Sequence, residues 1–304
     1  MKMNKQDLPL VSIVVLNLNS IDVTWEFLES TRKLTYPNYE LLICDMGSEI
    51  DPTERVNAAR FPYTRVVRSE TNLGCAGGRN WGVRHAKGDF VFLVDNDTIV
   101  TPNLIEALIE PLLEHPDVAV SCPKIRFYHS PEIIQYAGFN PINPFTGRNS
   151  AVGSLQKDNG QHDTGNYTFS SHGCASMIRK SVFDKAGFFP EKFFFYYEEM
   201  DWSARVKKAG YKIYYQPKGL IFHKQSLTLG LQSPKKLYYL TRNRILYMRR
   251  NTSFPQFLVF SCFFTFVSMP KGVLTFALKG QYEHLKSFMK GIFWNLTTSK
   301  HSAI

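Results

Sequence analysis

Three short apolar, β-branched runs each stop on a polar side chain, and this repetition narrows the possible folds more than any other feature. Residues 10–16 (LVSIVVL) run into Asn17-Leu18-Asn19-Ser20, residues 39–44 stop at Asp45, and residues 90–94 stop at Asp95. Between them, Val23, Phe27, Leu28 and Leu34 fall at helical spacing, a further strand is expected over 64–67, and a helix over 78–86. Strand–helix–strand alternation predicts an α/β fold with a mostly parallel central sheet flanked by helices. In such sheets ligands bind beyond the carboxyl ends of the strands. Asn17, Asp45 and Asp95 all fall at that edge, as the walls of a nucleotide-type crevice would.

Downstream, residues 130–170 are rich in Pro, Gly, Asn, Thr and Ser and lack periodicity, which predicts long loops over the sheet and a substrate lid. The aromatic stretch 188–197 precedes an expected helix over 198–209. Its acids (Glu198, Glu199, Asp201) sit in the first turn, Lys207 and Lys208 in the last, and Gly210 supplies the stop. Strands are expected over 211–215 and 220–222, closing the first domain near His223. The chain divides into a catalytic-type domain, 1–225, and a basic, aromatic-rich tail, 226–304.

Charge marks that division. The net charge is +10, yet residues 224–304 hold 12 basic side chains and the single acid Glu283. Residues 234–250 interleave basic and aromatic positions, and residues 257–269 (FLVFSCFFTFVSM) are nearly all apolar. Thirteen residues fall short of the ~20 that a membrane-spanning helix needs. An in-plane or re-entrant hairpin broken at Pro270-Lys271-Gly272 fits better, with cations and aromatics at the headgroups. A helical subdomain packed on the core, or a dimer interface, is the other reading. The apolar positions beside the basic ones argue against nucleic acid as a partner. Cys44, Cys75, Cys122, Cys174 and Cys262 show neither metal nor disulfide spacing and read as free thiols in a reducing compartment. The first ten residues lack a signal-peptide core, so the expected location is cytoplasmic.

Three motifs carry chemistry. Asp95-Asn96-Asp97 places two carboxylates in a turn at a strand end, where they either cap backbone amides or share Mg²⁺ or Mn²⁺. The glycine-rich segment 72–82 opens a helix; its amides and Arg79 suit an anion, although it matches neither the dinucleotide fingerprint nor the P-loop. Glu198-Glu199-Met200-Asp201-Trp202 follows the aromatic stretch. A carboxylate beside aromatic rings can stack a sugar and take its hydroxyl proton, so Tyr197 and Trp202 are candidates for the acceptor. His223, at the end of the last strand, is either structural or completes a metal or diphosphate site with Asp97.

Taken in order, these segments resemble glycosyltransferase family 2, with its GT-A nucleotide-sugar transferase fold. The resemblance rests on Val11-Ser12-Ile13-Val14-Val15 with Asn17 and Asn19, Asp45-Met46-Gly47-Ser48, Asn72-Leu73-Gly74 to Gly82, Gly88-Asp89-Phe90 into Asp95-Asn96-Asp97, Glu198 to Trp202, and Gly210-Tyr211 to His223. It covers about residues 10–223 and extends to the rhamnosyltransferase-like subgroup through the Tyr239–Arg244 stretch. It implies that Asp45 binds the nucleobase, with Asn17 and Asn19 around base and ribose. It further implies that Asn72, Arg79 and Asn80 line the donor pocket, Asp95 lies near the ribose, and Asp97 binds the metal. Glu199 would be the base of an inverting transfer, with Asp201 as second candidate because Glu198-Glu199 replaces the family's Glu-Asp. The implied donor is dTDP-rhamnose or a UDP-hexose and the implied acceptor a glycan or lipid-linked glycan. The enzyme would sit on the inner face of the cell membrane through its tail, in cell-surface polysaccharide assembly. The competing readings are a non-catalytic nucleotide-sugar-binding subunit and a nucleotidyltransferase on a similar sheet.

Overall fold

The computed structural model describes residues 8–224 and 233–302. β-Branched and apolar side chains on both strand faces force the first strands into the interior. β1 (Val11–Asn17), α1 (Ile21–Thr31), β2 (Tyr39–Asp45), α2 (Thr53–Ala58), β3 (Thr64–Arg68), α3 (Gly74–His85) and β4 (Phe90–Val94) form two wound layers. The strands lie parallel in the order β3-β2-β1-β4. Asn17 is level with Asp45, and Val15 with Val94, so the three polar strand ends share one edge.

The remaining elements are β5 (Thr98–Val100), α4 (Leu104–Glu114), β6 (Val118–Phe127), β7 (Ser130–Tyr136), β8 (Asn166–Tyr167), β9 (Ala175–Arg179), α5 (Val182–Ala186), α6 (Glu198–Lys208) and β10 (Lys212–His223). They extend the sheet to β3-β2-β1-β4-β9-β6-β10-β5. β9 runs antiparallel between β4 and β6, which makes the sheet mixed. This insertion has a local consequence: the Asp95 amide donates to the Cys174 carbonyl (2.8 Å), so the β9 entrance lies against the Asp-x-Asp turn. β5 pairs antiparallel with the end of β10, opposing His223 to Thr98.

Several boundaries differ from the sequence reading. The two closing strands are one, β10, with a register shift between Gln216 and Leu220. The 130–170 segment contains β7 on the edge of β6 and β8 on β10 rather than loops alone. Helix α3 begins four residues early, at Gly74, whose φ of +69° disfavours any side chain. The glycines of this helix serve packing: a Cβ at Gly82 would meet Val14 Cγ1 at 2.3 Å, so α3 lies directly on the sheet.

The tail is helical and shares a core with the rest. α7 (Pro234–Asn251), α8 (Phe254–Phe263), a π-turn (Phe264–Ser268), α9 (Met269–Leu278) and α10 (Tyr282–Thr297) follow one another. Residues Phe254–Leu278 form one continuous helix of 25 residues, which corrects the expected break at Pro270. Pro270 lies at the first turn of α9, directly after the π-turn, so its missing amide is accommodated there. Phe193 from the first part packs with Leu246, Met248, Phe260, Phe264 and Phe288 in a second apolar cluster. The boundary expected between 225 and 226 lies outside the described residues.

Candidate active site

At the ends of β1 and β2 every polar group is already matched. Asn17 donates to Asp45 Oδ1 (2.7 Å) and to Ser48 Oγ (3.2 Å), and accepts from Thr24 (2.8 Å). Asp45 also takes the Ser48 amide (3.1 Å) and hydroxyl and pairs with Arg68 (3.3 Å), and it has no exposed surface. Asp45, expected at the base, and Asn17 are thus held in a buried network beneath this loop. The exposed Asn19, at φ +49°, is left to face the crevice; its side chain accepts the Glu49 amide (2.8 Å). Exposed Asn72 accepts the Gly74 amide (2.9 Å) and starts α3.

The ends of β4 and β10 meet the start of α6 differently. Arg79 of α3 is buried, its guanidinium bonded to Glu198 Oε1 (2.6 Å), to the Gly173 carbonyl (2.6 Å) and, more loosely, to Asp95 Oδ1 (3.4 Å). Burial lowers its proton affinity, but Glu198 leads a group of acids that raise it further, so the cation is locked. Both terminal nitrogens are engaged by the protein, so Arg79, expected in the donor pocket, here positions the acids. One oxygen of buried Glu198, Oε2, has no partner. Beside it burial, then the Glu198 charge, push the Glu199 carboxyl up to about 8. Burial and Asp97 likewise push Asp95 up to about 6 against the pull of Arg79.

Asp97 Oδ1 lies 3.2 Å from His223 Nε2, and His223 Nδ1 faces Gln135 Oε1 at 2.9 Å. Burial works against a charged imidazole here, but the Asp97 hydrogen bond and charge outweigh it and raise His223. Asp95, Cys174 and His223 bring a carboxylate oxygen, a sulfur and a ring nitrogen within 4.8 Å of one another. Burial, then Asp95 and Asp97, raise the Cys174 thiol well above its usual value, so it stays neutral. Four acids (Asp95, Asp97, Glu198, Glu199) thus face one fixed cation and one histidine. Their oxygens and a nitrogen, with negative charge in excess, fit a divalent ion such as Mn²⁺ or Mg²⁺.

A strained loop delivers α6 to this place. Phe194, Tyr196 and Tyr197 all have positive φ (62°, 67° and 70°), each at a cost of about 1–3 kcal/mol. The loop is strapped by α7: Asn243 donates to the carbonyls of Phe193 (2.9 Å), Phe195 (2.7 Å) and Tyr196 (2.8 Å), and Arg242 to Lys192 (2.8 Å) and Phe193. The basic tail motif is therefore in part a clamp on the acid cluster. The pairing of Glu198 with Arg79, 119 residues apart, and the place of Cys174 in the turn before β9 carry no local sequence signal, so the motif showed Glu198 but not its partner, and Cys174 only as a free thiol.

Three other candidates are corrected. Trp202 is fully buried, donates to the Gly187 carbonyl (2.8 Å) and packs on Phe183 and Phe189 at 5.1 and 4.9 Å, so no face remains for an acceptor. Asp201, one residue earlier on α6, is buried and held by Arg250 (2.8 and 3.1 Å) and Asn251 (2.7 Å), which docks α7 and removes it as a base. Asn80 is buried and bonds both the amide and the carbonyl of Phe189 (2.9 Å each), outside any donor pocket. Tyr197 stays partly exposed, its hydroxyl on the Gly147 carbonyl (3.1 Å).

Residues 12–187 match the model of glycosyl transferase family 2. The chain belongs to glycosyl transferase family 2. It is 35% identical over 107 residues to the glycosyltransferase GlyG of Streptococcus pneumoniae, a match covering 34% of this chain and 36% of that protein. The matched stretch thus spans about a third of that relative's length. An N-acetylglucosaminyl-diphospho-decaprenol L-rhamnosyltransferase of Mycobacterium tuberculosis is 25% identical over 227 residues, covering 67% of this chain and 72% of that one. A mannosyltransferase from Pyrobaculum calidifontis, in complex with GDP-Man and Mn²⁺, shares the fold at TM-score 0.60 and 14% identity, covering 97% and 89% of the two chains. The family 2 chain described here therefore has the GT-A fold.

Proposed function

We propose that this chain transfers a sugar, with inversion at the anomeric carbon, from a nucleotide-diphosphate sugar to a lipid-linked glycan at the inner face of the cell membrane. One observation carries the reading: around Arg79, a cation-type donor set on the ends of β4 and β10 meets a carboxylate on α6 whose proton affinity is raised to about 8. Glu199 takes the proton of the attacking hydroxyl, and a base poised near working pH suits that task. Glu198 and Arg79 hold the helix start that aims it. A divalent cation held by Asp97 and His223, with Asp95 alongside, would supply the positive charge that a departing nucleoside diphosphate requires. Asn19 and Asn72, exposed at the strand ends, are the contacts proposed for the nucleotide.

The acceptor class is drawn from the tail and from the rhamnosyltransferase relative, whose name places its acceptor on a diphospho-decaprenol. Phe254, Leu258, Phe266, Leu274 and Leu278 are exposed along one side of the Phe254–Leu278 helix. The other side packs through Phe260 and Phe264 into the protein, which favours a helix lying in the membrane interface. The excess of lysine and arginine over the whole of residues 224–304 suits an anionic leaflet. Rhamnose is the first sugar to try, with UDP-hexoses next. The test supplies dTDP-rhamnose, UDP-sugars and GDP-mannose with Mn²⁺ and a prenyl-diphosphate-linked N-acetylglucosamine to the full chain. Release of a nucleoside diphosphate with an inverted glycosidic product is expected; release of inorganic diphosphate, or donor binding without turnover, refutes the reading.

A further inference from the structure

Directly after the clamp residues Arg242 and Asn243, Arg244 turns to another task. It is buried, its Nε donates to the Thr146 carbonyl (2.5 Å), and its guanidinium lies over the rings of Phe260 (5.7 Å) and Phe264 (5.3 Å) from the apolar helix. The same 143–148 turn is closed by the Asn143 side chain on the amides of Phe145 (2.9 Å) and Thr146 (3.0 Å). Its next carbonyl, Gly147, takes the Tyr197 hydroxyl at 3.1 Å. Arg148 leaves the end of this turn into solvent.

Arg244 is thus anchored on the short turn that ends in the exposed Arg148, where no acid among the described residues answers either of them. Among the described residues neither has a carboxylate within ion-pair distance. Burial lowers Arg244 to about 10, and the Arg148 charge pushes in the same direction. It stays cationic at neutral pH, so the site carries a standing positive potential. Burial pushes the Tyr197 phenol up to about 12, Arg244 and Arg148 pull it back, and Glu199 adds to the rise, which places all three within electrostatic reach of one side chain. Tyr197 also lies only two residues before Glu199 on the chain. Arg244 therefore lies against the packed side of the proposed membrane helix, and the turn that carries Arg148 holds the Tyr197 hydroxyl, two residues before the proposed base.

We propose that Arg148 and Arg244 bind the phosphate groups of the lipid-linked acceptor, so that its sugar hydroxyl reaches Glu199 while its lipid follows the Phe254–Leu278 helix. Forked guanidiniums in pairs suit phosphate oxygens better than any uncharged headgroup. The inference rests on the acceptor reading above, and it explains why two cations meet at one turn with no acid beside them among the described residues.

The test uses the full chain in detergent and measures binding of farnesyl diphosphate, farnesol and inorganic diphosphate. Farnesyl diphosphate should bind saturably and more tightly than either other probe, and Arg148→Gln should weaken it about tenfold while leaving farnesol unchanged. Arg244→Lys, checked for an unchanged melting temperature, should weaken it by a similar factor. Nucleoside diphosphate with Mn²⁺ should not displace it. Equal affinity for farnesol, wild-type affinity in Arg148→Gln, inorganic diphosphate binding as tightly as the lipid, or displacement by the nucleotide would each overturn the proposal. Donor binding is read separately: its absence in the wild type sinks the transferase reading, whereas its presence without phosphate discrimination sinks only the acceptor subsite.

Discussion

The two sides of the crevice are built from the same residue types to opposite ends. On the β1–β2 side, Asn17, Asp45, Ser48 and Arg68 satisfy one another and leave Asp45 sealed. On the β4–α6 side, one arginine serves Glu198 and Asp95, a Glu198 oxygen is unpartnered, and Glu199 is raised to about 8. A satisfied network fixes shape; an unsatisfied one stores the capacity to take up a proton or a cation. Strain follows the same division, since three non-glycine positive-φ residues, 194, 196 and 197, precede the acid cluster.

The comparison breaks most visibly at Glu199. Glu199→Gln should keep donor binding and lower kcat by on the order of 10²–10⁴, the range for losing a general base. If the variant turns over within tenfold of the wild type, the acid side is structural and the contrast fails. Arg79→Met comes next: it strands buried Glu198 without its cation and should cost about 3–5 kcal/mol in denaturant unfolding. A loss below 1 kcal/mol would show that the acids are solvated. Trp202→Ala should cost a similar 3–5 kcal/mol through its cavity, while Trp202→Phe should leave the acceptor KM unchanged. A raised KM in the phenylalanine variant would restore Trp202 to the acceptor site. The smallest effect is expected opposite: Asp45→Asn should cost about 1–3 kcal/mol of stability with little change in kcat. A collapse of donor affinity without loss of stability would return Asp45 to the base.

The strand ends were legible because a parallel sheet writes itself as apolar runs with polar stops, and Asn17, Asp45 and Asp95 are such stops. The depth at which each stop would lie was not legible. Asp45 and Asp95 look alike in sequence, yet one is sealed by its neighbours and the other is raised by Asp97 and burial. Asp201 and Trp202 read as site residues because they adjoin Glu199, but a helix turns 100° per residue and carries them to its inner face. Pro270-Lys271-Gly272 read as a break because a π-turn cannot be seen in a pattern of residue types. How the tail would pack on the first part was not legible either, because the partners of Arg250, Asn251 and Asn243 lie about fifty residues away.

The measurement closest to the central claim is the pH dependence of kcat/KM for the full chain. A carboxylate base works only when deprotonated, so with Glu199 raised, activity should rise with pH along a limb lying well above the ordinary carboxylate range, toward about 8. The same shift means that the folded state holds this proton more tightly than the unfolded chain, so its stabilising effect is complete at low pH and fades as pH rises through about 8. A rate that stays flat down to about pH 5 would contradict the account, because Glu199 would then be an ordinary, solvated carboxylate.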